Sequence, residues 1–97
     1  MHAMVVHVDI EPDRFDEAAK GLNEMVVPAV KAQPGFVRGT WCHHREKNAG
    51  VGIVVFDSEA NADAALAAMN EMRGLPEAAN DPVTITSAEL YGVGAMA

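Results

Sequence analysis

Pro34-Gly35-Phe36-Val37 stands near the middle of a 97-residue chain and decides how the rest is read. Pro34 fixes its own φ and Gly35 tolerates backbone that other residues resist, so the pair predicts a turn. Phe36 then opens a strand predicted over residues 36–45. Lys47-Asn48-Ala49-Gly50 is rich in turn formers and predicts a hairpin. Residues 51–56 (Val51-Gly52-Ile53-Val54-Val55-Phe56) predict a third strand, apolar almost without interruption, as a strand buried on both faces and central in its sheet should be.

Working outward, residues 4–10 alternate: Met4, Val6, Val8 and Ile10 on one side, Val5, His7 and Asp9 on the other. Period two with β-branched residues predicts a strand with one dry and one mixed face. Glu11-Pro12-Asp13 stops it, and Asp13 is suited to cap the next helix, with Asp16 and Glu17 near its positive end. In that helix Phe15, Ala18, Ala19, Leu22, Met25, Val26, Ala29 and Val30 recur at steps of three and four, an apolar stripe for covering a sheet. Pro28 predicts a kink or break in the last turns. After the third strand, Asp57 or Ser58 caps a second helix running to about Arg73. Its bulky core residues are expected to be Leu66, Met69 and Met72, and Gly74 and Pro76 end it. A loop over residues 73–82 leads to a last strand over 83–91 and a short tail. Strand-helix-strand twice in one chain predicts a single α+β domain over residues 1–97. Its form is a ferredoxin-like βαββαβ sandwich: a four-stranded antiparallel sheet with both helices on one face.

The uncovered face should be polar in a monomer, yet Val5, Val37, Trp41, Val54, Phe56 and Leu90 alternate with other apolar residues. Two apolar faces predict a face-to-face homodimer, with two-fold symmetry as the default. Seven basic against 14 acidic residues give a formal charge of −7, a field that repels polyanions, so nucleic acid is not an expected partner. No apolar run reaches the ~20 residues of a membrane helix, and the first nine residues read as a strand and not a signal peptide. Cys42 is the single cysteine and forms no intrachain disulfide. A cytoplasmic location is the expectation.

Two stretches, Pro34-Gly35-Phe36-Val37-Arg38-Gly39-Thr40 and Gly52-Ile53-Val54-Val55-Phe56-Asp57-Ser58-Glu59-Ala60-Asn61-Ala62, carry a resemblance to the antibiotic biosynthesis monooxygenase family. That family belongs to the dimeric α/β-barrel superfamily of ferredoxin-like folds. The resemblance implies the fold and a homodimer, and as activity a cofactor-independent monooxygenase acting on a small aromatic, phenolic or polycyclic molecule. Haem-degrading members carry an asparagine on the first strand, a tryptophan before the second helix and an iron-binding histidine further on. Here the first strand offers Val5 and His7, Phe56 precedes the cap, and no histidine follows His44, so haem degradation is disfavoured and no cofactor is expected.

Cofactor-free oxygenation needs a base, a donor for an oxyanion and a dry cavity. On the second strand alternation puts Trp41, His43 and Arg45 on one face, and Arg38, Thr40, Cys42 and His44 on the other. His43 or His44 suits the base, because imidazole titrates near neutral pH. Arg38 or Arg45 suits the anion. Trp41 suits a flat wall for an aromatic ring, and His7, Phe56 and Tyr91 complete the candidate binding residues. Each has a plainer reading. Trp41 fits a core or interface, the arginines fit surface ion pairs, His7 fits a hydrogen bond within the sheet face, and Tyr91 fits the interface. Cys42 and His44, even with His7, are too few for a structural zinc, which wants four ligands, so no metal is expected. His2 is expected at a frayed end, and a small pocket is expected between sheet and helices. The alternative function is a non-catalytic, small-ligand-binding or structural homodimer of the same fold.

Overall fold

A computed structural model describes residues 1–73 and 81–97. Four strands, β1 (His2–Ile10), β2 (Phe36–His44), β3 (Ala49–Phe56) and β4 (Val83–Gly92), form one antiparallel sheet in the order β2-β3-β1-β4. This is the ferredoxin-like arrangement that the doubled strand-helix-strand pattern predicts. The two inner strands, β1 and β3, pair in unbroken register from His2 opposite Phe56 to Asp9 opposite Ala49. Among the described residues, no helix is long and apolar enough to cross a membrane. The expected terminators Gly74 and Pro76, and most of the loop over 73–82, lie outside the described residues.

The covered face holds the core. Met4 and Val6 of β1 and Val54 and Phe56 of β3 pack against Ala62 and Ala65 of α3 (Glu59–Arg73). Small alanines let that helix lie close to the sheet, and Phe56, 0% exposed, fills the space between them. The cap is Ser58, whose Oγ accepts the Asn61 backbone N–H at 3.2 Å. Asp57 instead accepts the Asn61 side-chain amide at 2.8 Å, and its own N–H donates to Gly35 O at 2.9 Å. Gly35 has φ +78, and a Cβ there would strike Asp57 and Asn61. The Pro34-Gly35 turn is thereby pinned to the start of α3, and glycine alone fits it.

The first helix differs from expectation at both ends. Asp13 makes no cap: residues Pro12–Arg14 form a 3-10 turn without a side-chain capping bond, and Arg14 bridges the carboxylates of Glu11 and Glu17. Pro28 does not break the helix. Instead α1 (Phe15–Gly21), a π turn (Leu22–Val26) and α2 (Val27–Lys31) run on continuously, the Val27 N–H reaching back to Leu22 O. Pro28 has no N–H, and its ring would crowd the carbonyl four residues back, so the wider turn accommodates it. The extra residue rotates everything after it by about 100°, one residue's share of a helical turn. Met25 therefore leaves the sheet-facing stripe and is 74% exposed, and Val26 is exposed beside it. Val30 regains the core further on.

At the hairpin the turn comes earlier than predicted. It spans residues 45–48, with Asn48 in the left-handed region at φ 52, and β3 already begins at Ala49. His2 is not frayed either: it opens β1, pairs with Phe56 and Gly92, and its Nε2 lies 3.6 Å from Glu59.

Candidate functional site

β2 presents most of the candidate residues, and one irregularity determines how. Phe36 pairs with Phe56 and Arg38 with Val55, so Val37 is an extra, bulged residue. Phe36 and Arg38 would share a face in a regular strand. The bulge sends Phe36 to the core and leaves Arg38 on the open face. From there alternation is regular: Gly39, Trp41 and His43 face the helices, and Arg38, Thr40, Cys42 and His44 face away.

On the covered side Trp41 pairs with Gly52, and its indole lies across two glycines. A Cβ on Gly39 would fall 2.6 Å from Cη2, and one on Gly52 would fall 2.9 Å from Cδ1 and 3.0 Å from Nε1. Any side chain at either position would lift the ring. The benzo ring thus rests on Gly39 and the pyrrole edge on Gly52, with the indole half-buried. His43 follows along the same face, edge-on to Phe15 with ring centroids 5.9 Å apart. Beyond it the Arg45 guanidinium stands 4.9 Å over the same Phe15 ring, with Asp16 at 3.8 Å. Aromatic wall, imidazole and cation succeed one another between the edge of β2 and the start of α1.

The other candidates are placed elsewhere. His44 lies on the open face, and its Nδ1 accepts the Lys47 N–H at 3.3 Å, which stiffens the hairpin. His7 and Cys42 flank Val51 on that face, and with His44 they line a cleft of about 350 Å³. No group of three or more His, Cys, Asp or Glu among the described residues could hold a metal ion. Tyr91, also on the open face, donates from its hydroxyl to Glu89 Oε2 at 2.7 Å. The carboxylate holds that proton and repels a phenolate, pushing the Tyr91 pKa above its usual value. Phe56 is sealed under α3.

The candidates therefore form two groups on opposite faces: Trp41, His43 and buried Phe56 on one, Arg38, His44, His7 and Tyr91 on the other. Of the apolar residues expected on the uncovered face only Val5 is there. Trp41, Val54, Phe56 and Leu90 belong to the covered side, and Val37 sits in the bulge. The open face is nonetheless apolar along its middle, through Ala3, Val5, Val51, Ile53 and Val55. The glycine bed under Trp41 went unread in the sequence, although glycine inside a strand signals a close approach.

No family model matches the chain, and no curated protein matches its sequence. Solved structures do match its fold. HapK from Hahella chejuensis superposes with a TM-score of 0.72 at 14% identity, over 100% of this chain and 97% of that one. SnoaB from Streptomyces nogalater, a cofactor-independent oxygenase, gives 0.64 at 20% identity, over 98% and 94%. A dimeric ferredoxin-like protein from an uncultured marine organism gives 0.67 at 12%, over 99% and 97%. At these identities the likeness establishes a shared ferredoxin-like fold over nearly the whole length of each partner.

Proposed function

We propose that this chain is a cofactor-independent monooxygenase of the antibiotic biosynthesis monooxygenase type. Its substrate class is a small phenolic or polycyclic aromatic molecule, and it works as a homodimer joined through the open sheet faces. The observation that carries the reading is the Trp41 indole bedded on Gly39 and Gly52, with His43 and Arg45 next along the same face. A flat ring stacks on the indole. His43 removes the phenolic or enolic proton, and the Arg45 guanidinium offsets the charge of the resulting anion. The anion passes an electron to dioxygen, and recombination gives a hydroperoxide on the ring carbon. Loss of water leaves a quinone, so one oxygen atom enters the product and the other leaves as water, with all electrons drawn from the substrate. The fold likeness to SnoaB supports the chemistry at the level of architecture. The dimer is supported by the apolar middle of the open face and by the dimeric ferredoxin-like neighbour.

The test is oxygen uptake with anthrone, which ionises to an aromatic phenolate. The expected result is one dioxygen consumed per quinone formed, with His43→Ala slowing turnover by about 100-fold or more. Uptake no faster than in buffer alone would sink the oxygenase. The non-catalytic, ligand-binding homodimer would then stand, a reading favoured by the structural duties of His44 and Phe56.

A further inference from the structure

Phe15 is buried, at 8% exposed, yet it stands outside the core cluster to which Phe56 belongs. A phenyl ring used only for cohesion packs among other apolar side chains. This one carries polar groups from the end of β2 and the turn after it. The His43 imidazole meets it edge-on with centroids 5.9 Å apart, and the Arg45 guanidinium stands 4.9 Å from its centroid, over the ring. An aromatic ring is electropositive at its edge and electronegative on its face, so one ring seats an imidazole and a cation together.

The other surroundings leave that task to the ring. The His43 imidazole has no hydrogen-bond partner among the described residues. Asp16 lies 3.8 Å from Arg45, but both side chains are largely exposed, and an ion pair in water fixes little. The backbone, by contrast, holds ring and side chains in one frame. The Ile10 N–H donates to Asn48 O at 2.8 Å, and the Asn48 N–H to Arg45 O at 3.3 Å, which ties the exit of β1 to the hairpin turn. The chain then passes the 3-10 turn, clamped by Arg14 between Glu11 and Glu17, and presents Phe15.

We infer that Phe15 is the positioning residue of this site, acting through His43 and Arg45. What those two groups do rests on the oxygenase reading; how they are held does not. Removal of the substrate proton needs the imidazole within hydrogen-bond reach of it, and the guanidinium must stand beside the anion that forms. Loss of the shared ring frees both side chains to wander. The chemical step then slows, while the stack on Trp41 that binds the substrate is kept.

The experiment pairs anthrone turnover with nuclear magnetic resonance of the full-length ¹³C-labelled chain. Phe15→Leu, which stays apolar and removes the ring, should lower kcat by about tenfold or more and leave KM within about twofold. Phe15→Tyr, which keeps the ring, should recover most of that loss. Without substrate, the His43 ring protons should carry a ring-current displacement that Phe15→Leu abolishes and Phe15→Tyr retains, with His2 and His7 unmoved. In wild type, where folding is not in question, nuclear Overhauser contacts should join the Phe15 ring to the His43 ring and the Arg45 side chain. Missing contacts, an unmoved His43 signal in Phe15→Leu, a loss confined to KM, or equal kcat for Phe15→Leu and Phe15→Tyr would each overturn the inference. A wild type that shows the contacts but consumes no oxygen would strike the oxygenase alone and leave Phe15 as the residue that orients His43 and Arg45.

Discussion

Gly52→Ala examines the bed beneath Trp41 with a single methyl. The new carbon would lie 2.9 Å from Cδ1 and 3.0 Å from Nε1 of the indole, against ordinary contacts near 3.5 Å or more. The ring must move by about half an ångström or swing away, and such overpacking costs about 1–3 kcal/mol. Replacing a strand glycine recovers about 0.5–1 kcal/mol by narrowing the unfolded ensemble. A net loss of about 1–2 kcal/mol follows from these two opposing effects. Trp41→Ala alone should cost about 2–4 kcal/mol, less than for a fully buried ring because Trp41 keeps part of its surface exposed. In the double variant the methyl meets no ring, so Gly52→Ala becomes neutral or slightly stabilising, and the two changes couple by about 1–3 kcal/mol, the overpacking cost that is removed. Urea unfolding followed by far-ultraviolet circular dichroism, at one fixed protein concentration, measures all four corners of the cycle. Additive costs would show that the indole does not rest on Gly52, and the stacking platform would go with it.

Phe56→Ala should remove about 3–5 kcal/mol by opening a cavity under α3, and lower the melting temperature by more than about 10 °C. A shift of only a few degrees would mean that α3 does not seal the ring. The Tyr91 phenol, monitored by absorbance at alkaline pH, should ionise above the usual tyrosine value, and Glu89→Gln should bring it down. Because the folded pKa is raised, the stabilisation from this pair is complete below the ordinary tyrosine pKa. It is lost as pH rises through the folded value. Coincident titration curves for the two proteins would refute the contact. Ile53→Asp places a charge in the middle of the open face and should convert dimer to monomer in sedimentation equilibrium, with the circular dichroism spectrum kept. An unchanged mass would exclude pairing through this face.

The sheet was legible in the sequence because its information is local: period-two apolar runs, turn formers at fixed offsets and a capping serine. Local insertions were not. The bulge at Val37 leaves no mark in composition, yet it separates Phe36 from Arg38 and so sets which face each candidate serves. The π turn follows from the lack of an N–H at Pro28, but the sequence does not say whether the chain kinks, breaks or widens there. Met25 and Val26 moved with that choice. Alternation did separate His43 from His44. Which of the two faces lies under the helices depends on long-range packing of Phe56 and Val54 on Ala62 and Ala65, and single-strand periodicity is silent on that.

The bulges also govern how sheets of this kind can meet. Each outer ladder carries one register shift, at Val37 in β2 and at Thr86 in β4, while the inner β1–β3 pair has none. The Thr86 hydroxyl even donates to His7 O at 3.1 Å, joining the disturbed ladder across its irregularity. A rim that twists and breaks step offers a poor template for another strand, so side-by-side growth into filaments is blocked at both borders.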